Sequence, residues 1–272
     1  MNKILSTGHT GTIGKHFGND VIKPLINLPD IKNLHPILSG SLPKIVLHAA
    51  AVVNQREIQE DPYKAYQVNV EGTKKLALFA RDELNARFVF VSTSHVYAQS
   101  SEKLSESSKI DPVNIYSIQK RQAEIEIIEV FRNNPTQFCI VRVFSCLDWD
   151  VPEFTLGGKI RSLILPGSSV RLSYADDVRD FLTPKQIAQN LIKIAQHRDV
   201  HGIVNLCTGI ETTVKAAALR MINESNIEFD VNRIDAGHSS IPVILGDNSK
   251  VLSFGLDLDL NWKPSNISTN LS

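Results

Sequence analysis

Apolar runs of strand length alternate with longer stretches of helical period along most of the chain. The short runs fall at 2–6, 21–26, 44–48, 87–92, 137–143 and 203–206, and the helical patterns near 63–84, 115–132, 184–197 and 211–224. Strand followed by helix, repeated, predicts an α/β fold with a parallel, doubly wound sheet. The Ser-, Glu- and Lys-rich stretch 99–111 reads as a polar loop. After about residue 146 the spacing loosens. That predicts a first domain over 1–146 and a smaller unit over 147–272, with segments returning to the first.

Two short motifs carry chemistry. The first strand runs into Gly8-His9-Thr10-Gly11-Thr12-Ile13-Gly14. Glycines at three-residue spacing after a strand permit a tight turn, close backbone approach to a pyrophosphate and tight packing of the next helix. The amino terminus of that helix then offers free N–H groups to phosphates. Further on, Tyr116 and Lys120 stand four residues apart, one turn on the same helix face. A nearby cation favours the phenolate, so a tyrosine with an ordinary pKa near ~10 becomes a usable acid/base. Upstream lies the hydroxyl run Ser92-Thr93-Ser94, followed by His95.

Taken in order, these motifs resemble the extended short-chain dehydrogenase/reductase family of nucleotide-sugar epimerases, dehydratases and reductases. TGHTGTIG fits TGxxGxxG, His48-Ala49-Ala50-Ala51 fits the fourth-strand signature, and Asn69-Val70-Glu71-Gly72-Thr73 fits NVxGT. Val178-Arg179-Asp180-Phe181-Leu182 resembles the RDF segment, and Asn261-Trp262-Lys263-Pro264 the C-terminal GWxP signature. The resemblance implies a Rossmann-type domain binding NAD or NADP, a small discontinuous C-terminal substrate cap, and a nucleoside-diphosphate sugar as substrate. It assigns Gly8, Thr10, Gly11, Thr12, Ile13 and Gly14 to the pyrophosphate loop, Asn27 and Leu28 to the adenine, and Ala49, Ala50, Ala51, Asn69 and Ser92 to the rest of the cofactor. Tyr116 becomes the acid/base, Lys120 the group that holds the nicotinamide ribose and lowers the tyrosine pKa, and Thr93 a hydrogen bond to the same substrate oxygen. Ser94, His95, Ser145 and Arg179 are assigned to the substrate, with Arg179 at the diphosphate. Lys159 and Arg161 either add charge there or form a solvated basic turn.

The chain departs from the family pattern after Gly14, where only thirteen residues, 15–27, run up to and include Asn27. Ordinary element lengths need about twice that for a helix and two strands, so a unit is shortened or lost. The usual acidic residue at the end of the second strand has no counterpart, which leaves NAD and NADP equally open. Lys23 is either a 2′-phosphate partner or an exposed lysine. The dehydratase branch places Asp-Glu where Ser94 and His95 stand. The run PVNIYSIQKRQAE instead resembles the dTDP-4-dehydrorhamnose reductase branch, so reduction of a 4-keto-6-deoxy sugar nucleotide is expected ahead of 4-epimerisation, with a non-catalytic dinucleotide sensor as the third reading.

Composition narrows the partners. The chain has 272 residues, 42% hydrophobic, enough for one large or two unequal domains. Lys+Arg and Asp+Glu are both 29, so no overall field draws the chain to nucleic acid or an anionic membrane. Cys139, Cys146 and Cys207 have no metal-type spacing, and their odd number suits a reducing cytoplasm. The amino terminus enters a strand at once, and neither a signal peptide, a membrane span nor a metal site is expected. The sequence leaves the oligomeric state open, with a homodimer as one of the options.

Overall fold

The computed structural model describes residues 3–32, 34, 42–165, 167–225 and 230–265. In chain order its strands are β1 (Ile4–Thr7), β2 (Val21–Ile22), β3 (Ile45–His48), β4 (Arg87–Thr93), β5 (Phe138–Val143), β6 (Ser145–Cys146), β7 (Val178–Arg179), β8 (Phe181–Leu182), β9 (Gly202–Leu206), β10 (Thr212–Thr213) and β11 (Val243–Ile244). The α-helices are α1 (Gln55–Glu60), α2 (Pro62–Tyr66), α3 (Thr73–Asp82), α4 (Ile115–Val130), α5 (Leu156–Leu163), α6 (Pro184–Gln196), α7 (Val214–Ser225) and α8 (Ser249–Leu252).

Six strands form one parallel sheet in the order β2-β1-β3-β4-β5-β9. Every residue of β3, β4 and β5 is buried, because helices cover both faces. Alternate residues divide between two cores. Val89, Val91 and Val141 pack with Ile187 and Leu191 of α6, while Phe88, Phe90 and Ile140 pack with Leu76 of α3 and Ile127 of α4. A third core joins Leu147, Ile160, Phe181, Met221 and Trp262, and beside it lie the small sheet β10-β7-β11 and the pair β6-β8. Trp262 of the C-terminal signature packs its ring 5.6 Å from that of Phe181, tilted by 42°, and donates its indole N–H to Leu147 O at 3.1 Å. The outer edge of β9 is occupied by side chains: Glu106 accepts the Asn205 N–H at 2.7 Å, and Lys250 donates to Ile203 O at 2.6 Å.

Helix starts follow local chemistry. Asn114 and Ser117 make a reciprocal capping box ahead of α4, as do Thr183 and Gln186 ahead of α6, where Pro184 takes the first turn. Three expectations need correction. The stretch 63–84 is not one α-helix: α2 and α3 are joined by a π-helical segment, Gln67–Gly72. The strand expected over 21–26 pairs only at Val21 and Ile22. The helix expected after the glycines is a single 3-10 turn, Gly14–His16. The short β1–β2 link leaves no room for more.

Candidate active site

β1 ends in the glycine turn at the C-terminal edge of the sheet, where ligands of parallel α/β sheets bind. Gly8 has φ +78, and a Cβ there would stand 2.5 Å from Ala50 N. One on Gly14 would stand 2.0 Å from Gly8 O. Both positions therefore need glycine for the protein's own packing. Gly11 differs: it is exposed, and the nearest atom to its Cβ position is Gly8 O at 3.3 Å. Beside the turn opens a cavity of about 430 Å³ lined by Gly8, His9, Thr10, Asn27 and Ala50. A turn of bare backbone next to that cavity fits a pyrophosphate, met by local N–H groups rather than by a long helix dipole. Gly11→Val should keep the fold yet weaken dinucleotide binding at least roughly tenfold, read by the fluorescence of reduced cofactor, because the new side chain fills the phosphate approach.

Some assigned residues do other work. Ile13 packs against the core. Thr12 sits half-buried beside it, Leu28 packs over Gly72, and Lys23 donates to Phe17 O at 2.7 Å. Asn69 is buried with its amide consumed: its Oδ1 accepts from Val52 N–H at 2.8 Å, and its Nδ2 donates to Val52 O and to Gln119 Oε1. It clamps the loop that continues from Ala49, Ala50 and Ala51. Ser92 donates to Glu124 Oε1 at 2.6 Å, on the face of β4 that packs against α4. Asn69 and Ser92 thus position neighbouring segments through protein contacts.

His48, fully buried, links these segments. Thr73 Oγ1 donates to Asn69 O at 2.8 Å, so it must accept from His48 Nε2–H; His48 Nδ1 then accepts from the Thr7 hydroxyl at 2.6 Å. Burial, aided by the Lys120 charge, holds the imidazole pKa down to about 3. A depressed folded-state pKa means stability is complete above the ordinary value of 6.5 and is lost as pH falls toward 3. Urea unfolding at pH 5 should show a loss of about 2 kcal/mol relative to pH 8, and His48→Gln should flatten that slope.

Thr93 ends β4, and its Oγ1 accepts the His95 N–H at 3.2 Å, which leaves its proton free to donate. Ser94 is buried in the turn that follows. α4 packs against that turn and carries Tyr116 and Lys120. Burial pushes the Tyr116 phenol up to about 12 and Lys120 down to about 7, with Glu124 pulling the lysine back up. The expectation that Lys120 lowers the tyrosine pKa is not met, because the ammonium donates to Val91 O at 2.6 Å and sits 3.9 Å over the Phe90 ring. Below it lies a buried ion pair absent from the sequence reading. Arg142 grips Glu124 with two bonds of 3.0 and 2.7 Å and stacks 4.7 Å from the Tyr97 ring. Ser92 and Arg142 are direct register partners, and so are Arg142 and Asn205, placing the three polar residues on one row across β4, β5 and β9.

A cleft of about 840 Å³ adjoins this turn, bounded by His95, Ser145, Cys146, Lys159, Arg171 and Arg179. Surrounding protein and the Arg179 charge both lower the His95 pKa. Arg179 reaches the cleft but is already held: it donates to Asp177 Oδ2 at 2.9 Å and to Val178 O and Pro242 O. Arg171 is paired with Asp235. Lys159 has no ion pair among the described residues, whereas Arg161 donates to Trp149 O and Val151 O and shapes its own loop. Burial raises the Cys146 thiol to about 12, a packed group rather than a nucleophile. Asp180, beside Arg179, accepts from Thr208 N–H and Gly209 N–H at 2.7 and 2.8 Å and ties the RDF segment to the end of β9. Among the described residues no cluster of three His, Cys, Asp or Glu is placed to hold a metal. No described helix is long and apolar enough to cross a membrane.

Comparison with known proteins matches this geometry. The chain is 28% identical over 273 residues to GDP-6-deoxy-D-talose 4-dehydrogenase of Aggregatibacter actinomycetemcomitans, covering 92% of this chain and 90% of that one. It is 24% identical over 259 residues to a UDP-glucose 4-epimerase of Rhizobium leguminosarum bv. trifolii, covering 88% and 78%. Among solved structures, the NADPH complex of RMD from Pseudomonas aeruginosa superposes with a TM-score of 0.77 over 96% of this chain and 94% of that chain, at 20% identity. Residues 4–207 match the NAD dependent epimerase/dehydratase family. With its parallel sheet, glycine turn and Tyr-Lys helix, the chain belongs to that family, the extended short-chain dehydrogenases/reductases.

Proposed function

We infer that the enzyme reduces the C4 ketone of a 6-deoxy sugar nucleotide. One observation carries this reading: α4, which carries the half-buried Tyr116 with its protonated phenol, packs against the turn that follows Thr93, so the helix of the proton donor meets the strand end where the Thr93 hydroxyl stands. The 28% identity to a protein named as a GDP-6-deoxy-sugar 4-dehydrogenase supports the same carbon and the same substrate class. The reductase-like run around Tyr116 supports it too.

The residues then take these roles. The turn Gly8–Gly14 with Thr10, Asn27 and Ala50 holds the dinucleotide, NAD or NADP, whose nicotinamide supplies the hydride when bound. Tyr116 donates its proton to the ketone oxygen, and the Thr93 hydroxyl donates to the same oxygen. Lys120 titrates near neutrality and holds the ribose side. Ser94, His95 and Ser145 line the sugar side, and Lys159 and Arg179 face the diphosphate. Removing Arg179 would also take the guanidinium from buried Asp177, leaving it only Ser239 and His238 among the described residues, so Lys159 is the cleaner probe. Lys159→Ala should weaken nucleotide-sugar binding by roughly 1.5–3 kcal/mol, as expected for a charge-assisted hydrogen bond, and leave dinucleotide affinity unchanged in calorimetry.

The similarity to a UDP-glucose 4-epimerase keeps 4-epimerisation as the second reading. Absorbance at the reduced-cofactor band separates them. A reductase oxidises one cofactor per product, whereas sugar turnover with no net absorbance change would establish the epimerase and overturn the reduction.

A further inference from the structure

A second polar cavity, of about 590 Å³, opens at the opposite end of the sheet. There the N-terminal ends of β3, β4 and β5 meet the C-terminal end of α6. Its wall includes Lys44, Arg87, Arg198, Asn85, Asn134 and Gln137, and no carboxylate lines it. Three cations around one cavity stand out in a chain whose 29 basic and 29 acidic residues balance. Like charges gathered without a counter-ion cost free energy.

Arg87 is the built part of this wall. The residue is only 8% exposed, and its guanidinium makes no ion pair among the described residues. It donates to Arg198 O at 3.0 Å, to Ile194 O at 3.4 Å and to Val200 O, which caps the carbonyl end of α6, and its Nε has no partner. Burial lowers its pKa, and the Arg198 charge adds to this, while Cys139 and Asp199 oppose it. Capping explains Arg87 alone. It does not explain why Lys44 and Arg198, both exposed and neither in an ion pair among the described residues, stand beside it. Asn85 adds a donor: its backbone lies in the left-handed region at φ 43, and its Oδ1 already accepts from Gln137 Nε2 at 3.1 Å, so its amide N–H groups are the part left to offer.

We propose that this cavity binds a phosphate group, free or as a phosphate monoester, at a site separate from the catalytic one. A wall of guanidinium, ammonium and amide donors matches a tetrahedral oxyanion with several acceptor oxygens. Arg87 opens β4 and Thr93 closes it, so the two sites lie about 20 Å apart by strand rise and the phosphate bound here takes no part in the reaction.

The test is isothermal calorimetry at constant ionic strength with inorganic phosphate and, separately, a sugar monophosphate, on wild type and on Lys44→Ala/Arg198→Ala. Both substituted residues are exposed, so the variant folds; its thermal midpoint without phosphate serves as the check, and each single variant stands in if the pair lowers it. The expected result is phosphate binding that weakens at least tenfold in the variant while reduced-cofactor binding is unchanged. Equal affinities for the two ligands would show that the phosphate group alone is recognised, and a tighter monoester would show that the cavity also reads the attached alcohol. Absence of phosphate binding to wild type, or binding undiminished by the double substitution, would overturn the proposal.

Discussion

Tyr116→Phe should lower turnover by ~100- to 10,000-fold, the range for loss of a general acid/base, without disturbing the fold. The ring stays in place on α4, and among the described residues nothing binds the hydroxyl, so only proton donation is lost. Cofactor affinity, measured by fluorescence, should not move. The wild-type pH profile should bend near the Lys120 pKa of about 7, while the phenol, at about 12, stays protonated throughout. A loss under about tenfold in turnover would remove Tyr116 from this role.

Arg142→Met should destabilise the protein by about 3–5 kcal/mol, the cost of stranding a buried charge. Glu124 is completely buried, and its oxygens are shared among Arg142, Arg121 and Ser92. With Arg142 gone the carboxylate keeps its burial and loses its main compensation. Replacing both members by apolar residues of similar volume is often neutral, so Arg142→Met/Glu124→Leu should recover most of the loss in urea unfolding. Should the double variant prove no more stable than the single one, the buried charge would not be the cause.

Much of this architecture was legible from apolar runs, because buried parallel strands carry no polar alternation to obscure them. β4 and β5 lie within a residue of their expected limits. What escaped depends on spatial neighbours. The helix expected over 63–84 has the right residues, but Asn69 spends its amide on Val52 and Gln119, partners distant in sequence, and a π segment stands there. Arg142 inside the apolar run FCIVRVF was a visible anomaly, since a charge there must find a partner. Glu124, one turn past Lys120, was visible as well, yet nothing in the sequence pairs the two. The motif assigned Ser92 to the cofactor, whereas β4 turns its side chain toward Glu124. Lys159 and Arg179 were legible as basic; which of them is free depends on where Asp177 lies.

The side chains along β9 bear on how the protein behaves when crowded. An edge strand with unmet N–H and C=O groups is a template on which another chain can add a strand. Here the Asn205 N–H is held by Glu106 and the Ile203 carbonyl by Lys250, and at the far edge β2 offers only two residues. Neither side presents a long open ladder, so concentrated solutions should resist sheet-to-sheet association until Glu106 and Lys250 are both removed, a loss that light scattering on warming would register.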